Sequence, residues 1–94
     1  MEHERAAKYF SDLGNGTRLS IYRYLVRAGR KGAPVGQIQE ALQAPNSTLS
    51  HHIGRLVEGG LVRQVRDSRK LYCTPEYEVL DELVAFLKSE CCLG

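Results

Sequence analysis

No apolar run in this chain approaches the ~20 residues that a bilayer-spanning helix needs, and the opening MEHERAAKYF is too polar for an export signal. The expected location is therefore the cytoplasm, with no membrane partner. There is no glycine-rich phosphate loop and no nucleophile–base pair at a suggestive spacing, and the chain is too short to enclose a large pocket. An enzyme is not expected. Internal repeats, low-complexity stretches and a second composition are also missing. Cysteine is scarce, at three residues. In a reducing compartment these should be free thiols suited to redox or metal chemistry rather than structural disulfides. Excess charge is missing too, since the formal net charge is only +2.

What remains is a single domain over residues 1–94, with a hydrophobic fraction of 43% that fits a modest globular core. Its charges are unevenly placed. Between His51 and Tyr72 stand Arg55, Arg63, Arg66, Arg69 and Lys70 against Glu58 and Asp67. Between Pro75 and Glu90 stand Glu76, Glu78, Asp81, Glu82 and Glu90 against Lys88. A basic middle beside an acidic tail assigns one face to a polyanion and another to a different role.

The stretch Pro45–Val62 organises the rest. Pro45, Asn46 and Ser47 read as turn and capping residues. Leu49, Ile53, Leu56 and Val57 then share one helical face, and Gly59-Gly60 stops the helix. The opposite face carries Ser47, Thr48, Ser50, His51 and Arg55, short donors and cations suited to a DNA major groove. Upstream, helices are expected over about 2–13 (stripe Ala6, Ala7, Phe10, Leu13) and 17–28 (stripe Leu19, Tyr22, Leu25, Val26). A third is expected over 35–43, with Ile38, Ala41 and Leu42 inward. The loop 29–34 has room for a very short strand. A short helix, a tight turn at 44–46 and a polar-fronted helix make a helix-turn-helix over about 35–60.

After Gly60 the period changes from 3.6 to 2. Residues 61–66 and 70–74, joined by Asp67-Ser68-Arg69, predict a β-hairpin wing over about 61–74 with a basic tip. A last helix over about 75–92 is expected to start with Thr74 as its cap and Pro75 in its first turn. Leu80, Leu83, Val84, Leu87 and Cys91 give it an apolar stripe that so small a chain cannot cover alone. A second copy of the chain is the expected cover. The fold class is mainly α with a small β-hairpin wing: a winged helix-turn-helix of about five helices, dimerising through its terminal helices. Base contacts are assigned to Ser47, Thr48, Ser50 and His51, with helix capping or phosphate contact as the alternative for Ser47 and Ser50. Arg55 is assigned to phosphate, and Arg66, Arg69 and Lys70 to the backbone or minor groove. His52, facing nearer the core, is expected to be partly structural.

Leu13 with Thr17-Arg18-Leu19, Ile21 and Leu25, then Ser50-His51-His52-Ile53 with Leu56, Gly60-Leu61-Val62 and the Tyr72 strand together resemble the ArsR/SmtB family of winged-helix repressors. The resemblance covers nearly the whole chain. It implies a homodimer on double-stranded operator DNA, released by an inducer ion. The third helix has no cysteine and the last helix has no histidine, so two of the family's ion sites are not expected. The ending Cys91-Cys92-Leu93-Gly94 resembles the arsenite-responsive members, which carry a vicinal cysteine pair there and a third cysteine further on. That third cysteine is not in this sequence. The resemblance implies As(III) or Sb(III) as inducer at Cys91 and Cys92, thiolate being the side chain that suits soft ions. Cys73 is the remaining sulfur. It lies roughly 20 Å away along one helix at ~1.5 Å per residue, so it is expected to be a small buried apolar residue unless a partner's strand comes close. Two alternatives stay open: the same repressor answering oxidants or reactive sulfur through Cys91-Cys92, and a winged-helix module for protein contacts without an operator.

Overall fold

Asn15 sets the first corner of the chain. In the computed structural model, which describes residues 1–94, its side-chain oxygen accepts hydrogen bonds from the N–H groups of Thr17 and Arg18 at 3.0 and 3.1 Å. This caps helix α2 (Gly16–Ala28), while Gly14 closes helix α1 (His3–Leu13). Helix α3 (Val35–Leu42) follows and ends at Gln43, whose left-handed backbone (φ 55°) turns the chain into α4 (Asn46–Glu58). Pro45 occupies the N-cap position of α4, and no side chain caps that helix. Asn46 and Ser47 thus form its first turn instead of capping it. Gly60 (φ 83°) ends α4 with paired bonds from Gly60 N–H to the Val57 carbonyl and from Leu61 N–H to the Leu56 carbonyl, a Schellman motif.

Strands β1 (Ala33–Pro34), β2 (Val62–Asp67) and β3 (Lys70–Pro75) form an antiparallel sheet in the order β1-β3-β2. Val62 pairs with Pro75 and Asp67 with Lys70, so the wing turns on Ser68 and Arg69 alone. The short strand in the glycine-rich loop is present, with Ala33 opposite Cys73. Gly32 before it has φ 77°, and a Cβ there would overlap the Cys73 carbonyl and the Thr74 hydroxyl. This close approach draws Thr74 and Pro75 into the sheet. The expected start of the last helix is corrected accordingly: Thr74 is buried with its hydroxyl toward the Lys31 carbonyl, and Pro75 belongs to β3. The Glu76 N–H is bound by the Leu61 carbonyl at 2.8 Å, and α5 runs only over Tyr77–Lys88.

The core joins Ala6 and Tyr9 of α1, Ile21, Tyr22 and Leu25 of α2, Ile38 of α3, Leu49, Ile53 and Leu56 of α4, and Leu61, Cys73 and Leu83. The stripe expected on α2 is turned: Leu19 and Val26 are 44% and 37% exposed, and Arg18 takes an inward position. Likewise Ala7 and Ala41 face solvent, while Tyr9 and Asp12 line the inner side of α1. On α1 and α2 the inward places are shared with Asp12 and Arg18, buried polar residues that find partners inside the fold. On α5 only Leu83 is fully buried; Val84 and Leu87 are 50% and 67% exposed. No helix is long and apolar enough to cross a membrane.

Candidate nucleic-acid interface and cysteine pair

Helix α4 lies with Leu49, Ile53 and Leu56 in the core, and this orientation turns Ser47, Thr48, Ser50, His51 and Arg55 to solvent together. Because no side chain caps α4, the hydroxyls of Ser47 and Ser50 are not engaged by its first turn. On the wing, Arg66, Arg69 and Lys70 are all exposed and gather at the hairpin's free end. Arg63, at its root, is paired with Glu76 at 3.4 Å. The exposed α4 front and the wing tip together offer hydroxyls, an imidazole and four cations, a set suited to base edges and phosphates.

Beneath this face lies a polar network that the apolar stripes did not reveal. Asp12 is fully buried at the end of α1. Its Oδ2 accepts from Lys8 Nζ at 2.9 Å, and its Oδ1 stands 3.4 Å from Arg55 Nε. That second separation is an ion pair without an aligned hydrogen bond, so Oδ1 has no hydrogen-bond partner. Arg18 donates through Nε to the Asp12 backbone carbonyl and through Nη1 to His52 Nδ1, the latter at 3.1 Å. The Arg18 bond fixes His52 with Nδ1 as the acceptor. Burial, followed by the charges of Arg18, His51 and Arg55, pushes the His52 pKa below its ordinary value of 6.5. A signal for the network was present in the sequence: Asp12 follows Ala6 and Tyr9, and Arg18 precedes Ile21, Tyr22 and Leu25, at helical spacing along the inner faces.

Cys91 and Cys92 lie beyond α5, not in its last turn. Cys91 N–H binds the Lys88 carbonyl, Leu93 N–H binds the Glu90 carbonyl, and Glu90 and Cys92 have φ of 60° and 66°. In a helix, neighbouring side chains point about 100° apart. This double turn instead brings the two exposed sulfurs to 3.0 Å. The hydrogen bond with Cys92, and then slight desolvation, raise the Cys91 pKa. Cys73 is fully buried on the middle strand, where Gln64 Nε2 donates to its sulfur at 3.6 Å and burial pushes its pKa up. Within one protomer no three His, Cys, Asp or Glu side chains converge on a point fit for an ion.

A helix-turn-helix domain model matches residues 13–65. The chain is 30% identical over 93 residues to the HTH-type transcriptional regulator YbzH of Bacillus subtilis, covering 86% of this chain and 93% of that one. An ArsR-like transcriptional regulator from Rhodococcus superimposes with a TM-score of 0.79 at 22% identity, over 92% of this chain and 78% of its own. The chain belongs to the helix-turn-helix family of transcriptional regulators, and its fold is that of the ArsR-like winged helix-turn-helix structures. The homodimeric winged helix-turn-helix domain of a possible ArsR-family regulator from Mycobacterium bovis superimposes with a TM-score of 0.74 at 27% identity, over 90% of this chain and 76% of that one. In this helix-turn-helix regulator, α3 and α4 are the helix-turn-helix, and β2 and β3 form the wing.

Proposed function

We propose that this regulator is a homodimeric cytoplasmic repressor that holds double-stranded operator DNA and releases it when As(III) or Sb(III) is taken up by Cys91 and Cys92. The observation that carries the inducer reading is the 3.0 Å approach of two exposed thiols at the end of α5. Two sulfurs at that separation suit one soft, thiophilic ion. Each thiol gives its proton to a hydroxyl of arsenous acid that leaves as water, so two sulfurs replace two oxygens and no oxidant is needed. Cys73, buried and engaged by Gln64, contributes no third ligand within the protomer.

The dimer reading rests on the bare face of α5, where Val84 and Leu87 form an apolar strip beside Phe86, and on the homodimeric relative. The two copies of α4 then enter major-groove half-sites about one turn (~34 Å) apart, with the hydroxyls and His51 on base edges and Arg55, Arg66, Arg69 and Lys70 on the backbone. Only Ser89 and Glu90 separate α5 from the thiol pair, so closing it on an ion alters the end of the dimer helix and with it the spacing of the two α4 helices. Affinity for a fixed pair of half-sites is sensitive to that spacing.

The test is arsenite-induced release of operator by the wild type and by the Cys91→Ser/Cys92→Ser variant. The variant should bind DNA like the wild type and stay bound in arsenite. Unchanged release from the variant would end this reading. Release by peroxide or persulfide, with indifference to arsenite, would move the sensor to sulfur oxidation at the same pair. Failure to bind any selected DNA would point to a protein-contact module.

A further inference from the structure

We propose that Asp12 is a positioning residue for DNA binding: its buried carboxylate holds Arg55 of α4 by Nε, so that the rest of the guanidinium is presented to the phosphate backbone. This rests on the assignment of Arg55 to the DNA face. Asp12 is out of place on grounds of stability. It sits in the last turn of α1 and against Gly59 at the end of α4, where a Cβ would overlap Oδ2. Both are carbonyl ends of helices, which disfavour a negative charge. The carboxylate is fully buried, and Oδ1 has no hydrogen bond of its own.

A carboxylate in such a position needs cations, and two reach it. Lys8 covers Oδ2 from the same helix. Arg55 faces Oδ1 from the recognition helix while 48% of its side chain stays exposed. The contact uses Nε and leaves the terminal edge of the guanidinium for two parallel hydrogen bonds to a phosphate. Lys8 and Arg55 together outweigh the single Asp12 charge, so this corner presents no net negative charge to the DNA. A long side chain oriented before binding loses less freedom on binding, and this favours the complex. Arg18, bonded to both the Asp12 carbonyl and His52, ties the same corner of α1 to α2 and α4.

The experiment is a double-mutant cycle on Asp12→Asn and Arg55→Ala, read as operator affinity over a range of salt concentrations. Asparagine keeps the shape of the side chain and removes the charge. Each single variant should lose about five- to tenfold in affinity, and the slope of log K against log salt should fall by nearly one, as for one lost phosphate contact. The double variant should bind no worse than Arg55→Ala alone. If Arg55→Ala leaves affinity and slope unchanged, the DNA role of Arg55 fails and takes this inference with it. If Arg55→Ala weakens binding but Asp12→Asn lowers affinity equally in both backgrounds with no change of slope, Asp12 is only structural and the inference falls. Should Asp12→Asn not fold, Arg55→Lys decides. It keeps the charge but cannot bridge carboxylate and phosphate, so it should lose affinity as Arg55→Ala does, and wild-type affinity would overturn the proposal.

Discussion

Asp12, Arg18 and His52 determine how α1, α2 and α4 meet, and a search for apolar stripes passes over all three. Leu19 has the spacing of a core residue, yet the interior takes Arg18, for which two acceptors, the Asp12 carbonyl and His52 Nδ1, are in place. Spacing alone does not reveal such partners, since they come from other helices. The reading of His52 as partly structural came from its position beside the core face, and the bond to Arg18 gives the reason. This contact makes the fold sensitive to acid. The His52 pKa lies below its ordinary value of 6.5, so the unfolded chain takes up this proton at a higher pH than the folded one. Stability therefore falls as pH drops through about 6.5 and the penalty is complete below the folded-state pKa. Thermal melts should show a lower Tm at pH 5.5 than at pH 7.5. His52→Gln, which keeps an acceptor for Arg18 and does not titrate, should reduce that difference. An equal drop in the variant would remove His52 as the cause.

The helix-turn-helix could be read in the sequence because Leu49, Ile53 and Leu56 repeat at 3.6 and the glycines after them stop the helix. The wing could be read because the period falls to 2 at Leu61. The ends of the elements were harder, for reasons found in pairing partners. Thr74 and Pro75 have the composition of a helix start, but β2 pairs with both (Arg63 with Thr74, Val62 with Pro75) and the Thr74 hydroxyl turns to the Lys31 carbonyl, which keeps them in the sheet. The cysteine pair continues the spacing of α5, yet the helix stops at Lys88 and the next residues fold into turns. As an independent element, the wing should act through charge alone. Arg66, Arg69 and Lys70 are exposed and make no ion pair. Replacing all three by alanine should leave the melting curve within about 0.5 kcal/mol of wild type. The same change should make the salt dependence of DNA binding shallower by about two to three in slope. An unchanged slope would place the wing off the DNA.

The assembled molecule is expected to be two such chains, joined where each leaves apolar side chains uncovered. Val84 and Leu87 expose more than a single small domain gains by exposing, and the homodimeric relative from Mycobacterium bovis shows the architecture paired. Leu87→Glu should shift sedimentation toward a monomer and weaken operator binding by at least about tenfold, because one α4 alone grips one half-site. Dimerisation undisturbed by this change would locate the interface elsewhere. On the proposed function, DNA binding and arsenite-driven release of DNA meet in this dimer, and both are read in fluorescence anisotropy of a labelled operator, selected from random DNA, titrated with arsenite in the presence of a monothiol reductant. The predicted result is tight binding that collapses at about one arsenite per protomer. Tight binding that persists through excess arsenite would contradict the coupling of Cys91 and Cys92 to the DNA face.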